Sequence, residues 1–87
     1  MTEEEHTESR IAMISIILEN TVESEALNDI LHEYRDYIIG RMGIPYREKG
    51  LYLISVAVDA PQNVTSALTG RLGRLKDVSV KTAYSKK

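Results

Sequence analysis

The stretch Asp36-Tyr37-Ile38-Ile39-Gly40-Arg41-Met42-Gly43-Ile44-Pro45-Tyr46-Arg47-Glu48-Lys49-Gly50-Leu51-Tyr52-Leu53-Ile54-Ser55-Val56-Ala57-Val58-Asp59 holds two strand-like runs joined by a tight polar turn. In the second run Tyr52, Ile54, Val56 and Val58 alternate with Leu51, Leu53, Ser55, Ala57 and Asp59, the period of a strand with two distinct faces. The first run is broken by Gly40, Gly43 and Pro45. Proline cannot donate to a ladder, so Pro45 predicts an edge strand, a bulge or the start of the hairpin. Arg41 stands in the middle of this otherwise apolar run and must either reach an edge or find an acceptor.

Working outward, residues 10–18 form a further strand pattern. Ile11, Met13, Ser15 and Ile17 lie on one side and Ala12, Ile14, Ile16 and Leu18 on the other, and both sides are nearly apolar. Glu19-Asn20 ends it. Asn20 is expected to cap a helix, its side chain accepting from the backbone N–H of Glu23 while Glu23 reaches back as in a capping box. Val22, Ala26, Leu27, Ile30, Leu31 and Tyr34 follow at helical spacing as a core stripe, leaving Glu23, Glu25, Asn28, Asp29 and Glu33 towards water.

A second helix is expected to start between Pro61 and Val64, with Asn63 as an alternative cap and Val64, Ala67, Leu68, Leu72 and Leu75 as its apolar positions. Gly73 is its expected stop, and Gly70 inside it suggests close packing against a strand or a neighbouring chain. Lys76-Asp77 then turns into Val78 to Tyr84, an alternating run suited to a half-exposed edge strand. Strand, helix, strand, strand, helix, strand is the split βαβ order of a ferredoxin-like sandwich. The expected fold is therefore α+β, a four-stranded antiparallel sheet with both helices on one face.

With 87 residues, no cysteine and a net charge of -2, the chain accommodates one small domain without a disulfide or thiolate-metal staple. Glu3, Glu4, Glu5 and Glu8 make residues 1–9 an acidic leader expected to be disordered, and residues 10–85 the domain. The uncharged run from Ile11 to Leu18 is too short to cross a bilayer and follows acidic rather than basic residues, so a cytoplasmic protein with no membrane association is expected. Helices on one face leave the other face of the sheet open, and there Leu51, Leu53 and Ala57 lie beside residues of the first strand. A second copy is expected to cover that face, giving a homodimer or homotetramer. The alternative is a solvated face, since Ser15, Ser55 and Ala57 are small.

Chemistry is sparse. His6 lies in the leader and His32 on a helix, whereas a metal site needs several converging ligands, so no metal and no cofactor are expected. There is no cysteine nucleophile, phosphate loop or nucleophile elbow, and Glu33 and Asp36 are spaced as solvated residues, so no catalytic residue and no enzyme activity are assigned. Lys49 to Val56 opens like the base-stacking motif of RNA-recognition domains, but Leu51 and Leu53 occupy the ring positions and the chain has no Phe or Trp. That and the acidic balance argue against direct nucleic-acid binding, with Arg41, Arg47 and Lys49 at most a local patch. Tyr46, Arg47 and Glu48 fit either a strand end closed by an Arg–Glu ion pair or a ligand or subunit contact. The ligand-binding or interface candidates are Glu19, Asn20, Arg41, Gly43, Tyr46 and Arg47.

The run Ile39 to Glu48, with Ser66 to Gly73 and Val78 to Lys81, resembles the small proteins grouped as regulators of the iron-only hydrogenase system. The resemblance covers nearly all of the chain beyond the leader. It implies an ACT-like version of the fold, similar to the C-terminal sensing domain of nickel-responsive repressors, and a role in hydrogenase expression or maturation. Those sensing domains hold their metal with several histidines and a cysteine. This chain has no cysteine and no histidine on an expected strand, so nickel sensing is not carried over. No ribbon-helix-helix or helix-turn-helix pattern precedes Arg10, and an effect on DNA is expected to run through a partner. The leading expectation is a homo-oligomeric module that binds a small molecule at a subunit interface; the alternative is a ligand-free adaptor docking to a partner.

Overall fold

A computed structural model describes residues 8–19 and 21–86 of the chain. Strand β1 (Ser9–Leu18) leads through a short 3-10 turn (Thr21–Glu23) into helix α1 (Ser24–Glu33). A second 3-10 turn (Arg35–Tyr37) precedes β2 (Ile38–Tyr46), and a third (Arg47–Lys49) closes the hairpin to β3 (Leu51–Pro61). Helix α2 (Gln62–Gly73) and β4 (Val78–Tyr84) complete it. The strands form one antiparallel sheet in the order β2-β3-β1-β4, the ferredoxin-like arrangement.

The two central strands pair along their whole length, from Ser9 opposite Pro61 to Leu18 opposite Tyr52. This register puts Ala12, Ile14, Ile16 and Leu18 on the same face as Ile54, Val56, Val58 and Ala60, and all eight are buried. Helix α1 closes over them with Leu27, Ile30 and Leu31, and α2 with Thr65, Leu68 and Leu72. At about 25 cal/mol per Å² of apolar surface, burial of the Ile, Leu and Val side chains among them contributes roughly 2 kcal/mol each. Edge strands β2 and β4 flank the core, and β4 alternates as expected, with Ser79, Lys81 and Ala83 exposed.

Several local features differ from the sequence expectation. Glu23 belongs to the 3-10 turn and makes no capping bond; the helix starts at Ser24, and Asn20 lies outside the described residues. Val22, placed in the core stripe by its spacing, is 79% exposed because the tighter turn rotates it off the α-helical face. In α2, Ala67 is exposed and Thr65 takes a buried place instead. A Cβ on Gly70 would meet only the Arg74 guanidinium, at 3.8 Å, so no close packing requires that glycine. Gly50 does need its freedom: it ends the hairpin turn at φ 65°.

The helices are tied together at the surface. Arg71 of α2 donates two 2.9 Å hydrogen bonds to the Glu33 carboxylate of α1 and lies over the Tyr34 ring. These bonds hold the Glu33 carboxyl below its ordinary value and the Arg71 guanidinium above its own. The pair is solvent-exposed, so its contribution is modest and weakened by salt. A carboxyl with a lowered folded-state pKa stabilises the fold above its unfolded value, and that contribution disappears as pH falls through the lowered one. Urea unfolding at pH 7 is therefore expected to show Glu33→Gln less stable than wild type, with the gap narrowing as pH falls below the ordinary carboxylate value.

Gly43 and Gly40 offer a second comparison. A Cβ on Gly43 would lie 2.8 Å from the Tyr52 hydroxyl and 3.1 Å from its ring, whereas one on Gly40 meets nothing within 4 Å. Gly43→Ala is expected to destabilise by about 1 kcal/mol through overpacking. Gly40→Ala is expected to be neutral or stabilising by about 0.5 kcal/mol through the unfolded chain. Equal unfolding midpoints for the two variants would contradict this packing.

Candidate functional site

A register shift at the start of β2 decides which side chains face where. Ile38 opposes Val58 but Gly40 opposes Ala57, so Ile39 is bulged out. Past the bulge Arg41, Gly43 and Pro45 oppose Val56, Ile54 and Tyr52 on the helix-covered side, while Met42, Ile44 and Tyr46 oppose Ser55, Leu53 and Leu51 on the open side. Arg41 thus both lies on an edge strand and finds an acceptor, donating from Nη2 to the Asn28 carboxamide oxygen on α1.

This geometry distributes the sequence candidates over three surfaces. Arg41 lines a cleft with Asn28, Leu31, His32, Arg35 and Ile38. Arg47 lines a second cleft of about 320 Å³ at the hairpin end of the sheet, with Thr21, Ser24, Pro45, Gly50, Leu51 and Tyr52. Gly43 lies between them under the Tyr52 ring, and Tyr46 projects from the open face. Glu19 is fixed beside the hairpin cleft's end of the sheet by its backbone N–H, which donates to the Asp77 carbonyl at 2.9 Å. No Arg47–Glu48 ion pair closes the strand end among the described residues.

The third surface is the open side of the sheet. Ile11, Met13 and Ile17 of β1 and Met42, Ile44 and Tyr46 of β2 are all exposed there, with Leu53 half-buried between them. A groove of about 210 Å³ runs between the strands, bordered by Ile17, Met42, Ile44, Leu53 and the hydroxyls of Ser15 and Ser55. Its charged neighbours sit at the margins, Asp59 on β3 and Lys81 on β4.

Sequence reasoning missed Asn28, Arg35, Thr21, Ser24 and Tyr52. Asn28 and Arg35 read as solvated positions of an amphipathic helix and its exit, and only the bulge, which no motif marks, brings Arg41 to them. The described residues contain no group of three or more His, Cys, Asp or Glu able to hold a metal ion. His32 has Arg35 and Arg41 as its charged neighbours in the cleft, a cationic setting that does not suit a metal. Among the described residues no helix is long and apolar enough to cross a membrane.

Comparison with known proteins gives a consistent outcome. Curated relatives from Saccharolobus islandicus strains, each called "Putative nickel-responsive regulator", are 31% identical over 74 residues, 85% of this chain. The match takes in 55% of their length, so the chain spans about half of those proteins. The solved structure of the uncharacterized protein TM1266 from Thermotoga maritima superposes with a TM-score of 0.86 at 30% identity, covering 91% of this chain and all of that one. A formyltetrahydrofolate deformylase from Pseudomonas putida KT2440 matches over 84% of this chain but 28% of its own, with a TM-score of 0.61 and 14% identity, a likeness of fold alone. The donor set described above does not fit the nickel in the relatives' name. A family model described as "Iron-only hydrogenase system regulator, putative" matches residues 10–82, and the chain accordingly belongs to this TM1266-like family of regulators.

Proposed function

We propose that the chain is a regulatory module of the iron-only hydrogenase system that binds a small molecule and works as a homo-oligomer, without metal or catalytic chemistry of its own. Two copies meet through the open sheet face, a surface that is uncharged over its centre and can match itself about a two-fold axis. The ligand occupies the hairpin cleft, where the Arg47 guanidinium and the Thr21 and Ser24 hydroxyls supply polar contacts and Pro45, Leu51 and Tyr52 an apolar wall. Glu19 and Asn20 precede the cleft residue Thr21 in sequence. One feature supports the coupling of the two: Leu51 lines the cleft, while its opposite partner Tyr46 stands on the open face. A ligand bound there acts on assembly by its differential affinity for the assembled and the separate chains.

The same apolar face would equally suit a ligand-free adaptor that docks to a maturation protein, and native mass spectrometry separates the two. The expected result is a dimer or tetramer carrying extra mass. Arg47→Ala is expected to lose that mass and keep the subunit number. A clean oligomer that takes up no amino acid or nucleotide favours the adaptor.

Met42→Glu tests the interface itself. Met42 is 59% exposed, so the substitution is tolerated in a monomer and intolerable in a covered face. It is expected to yield folded monomer by size-exclusion chromatography with an unchanged circular dichroism spectrum. A wild-type monomer at high micromolar concentration would end the sheet-face proposal.

A further inference from the structure

We infer that the cleft between α1, the turn after it and the start of β2 is a site for a small anion bearing a carboxylate or phosphate group, held between the guanidiniums of Arg35 and Arg41. This site is separate from the hairpin cleft and the open face and does not depend on either. The chain has 13 acidic residues against 11 lysines and arginines, yet the cleft is lined by Asn28, Leu31, His32, Arg35, Ile38 and Arg41 without a single carboxylate. Two arginines and a histidine thus converge on one concavity of about 460 Å³, the size of a small organic anion's pocket.

The hydrogen bonds leave both guanidiniums electrostatically uncompensated. Arg41 donates to the Asn28 side-chain oxygen and Arg35 donates to the His32 carbonyl at 3.0 Å, both neutral acceptors. Among the described residues neither arginine has a carboxylate partner. A guanidinium carries five N–H donors, so each retains most of its capacity for a ligand, including the paired geometry that matches carboxylate or phosphate oxygens. With its oxygen committed to Arg41, the Asn28 carboxamide presents its NH2 group as a further donor. Buried Leu31 and half-buried Ile38 offer the carbon part of a ligand an apolar wall.

The surroundings favour a small anion over a polyanion. Glu25, Asp29, Glu33 and Asp36 are exposed on α1 and the turn that follows it. A nucleic acid crossing the cleft would bring successive phosphates against those carboxylates, whereas a single anion lies within the cleft between its two arginines.

The test is a 1H–15N NMR titration of the full chain with inorganic phosphate and, separately, malonate, at constant ionic strength made up with chloride. Saturable shifts are expected at the Arg35 and Arg41 Nε–H and Asn28 side-chain amide signals. Arg41→Gln and Arg35→Gln are each expected to weaken binding about tenfold, the loss of a charge-assisted hydrogen bond. Arg35 lies on an exposed turn, so its variant keeps the test valid should Arg41→Gln unfold the strand edge. No saturable shift with either probe, or responses unchanged in the variants, would overturn the inference. So would a short DNA duplex that shifts these signals more strongly than phosphate.

Discussion

Everything in this molecule hangs on the ladder between β1 and β3, the two inner strands whose apolar residues occupy both faces at once. One face is consumed by α1 and α2, which seal Ile14, Ile16, Val56 and Val58 from water. The helices cannot also reach the other face, so Met13, Ile17 and Leu53 stay at the surface. A one-residue slip of the ladder would exchange the two sets and place Ser15 and Ser55 in the core. The burial asymmetry therefore holds the register, and the register defines which apolar side chains stay at the surface.

Much of this was legible in the chain before any coordinates. The period-two alternation of Ile11 to Leu18 and of Leu51 to Asp59 separates the covered face from the open one, residue by residue, because strand geometry leaves no freedom in the assignment. The order of elements followed from the helical spacing of Leu27, Ile30 and Leu31 and from Pro61 and Gly73 near the ends of α2. Of the edge, bulge or hairpin start that Pro45 left open, β2 is an edge strand. The helix starts were harder: a 3-10 turn and an α-turn carry the same residue types, and Val22 fits either until tertiary packing chooses.

The candidate site was legible in its residues more than in its grouping. Arg41 and Arg47 stand six apart on one strand and its turn and read as a single segment, yet they line different clefts. What separates them is the run of strand between them, about 20 Å at 3.3 Å per residue, because both lie beyond the bulge at Ile39. The bulge itself lies beside Gly40, and a glycine in a strand is equally consistent with a bend, an edge or a close contact. Asn28 carries no signal at all, since its importance depends entirely on which face of β2 turns towards α1.

The bulge also links the surfaces physically. Ile38 packs towards the core, and strict alternation from it would send Met42, Ile44 and Tyr46 under the helices and Arg41 onto the open face. The inserted residue reverses this. An arginine at the centre of the open face would have to be desolvated in any assembly through it, at a cost that only a carboxylate on the other copy could offset. In the observed arrangement the same charge lies beside the Asn28 carboxamide at the helix edge, still in contact with water, and the face it left is apolar from β1 across β3 to β2. A single irregularity in an edge strand thus sorts one segment into a polar cleft and an apolar surface.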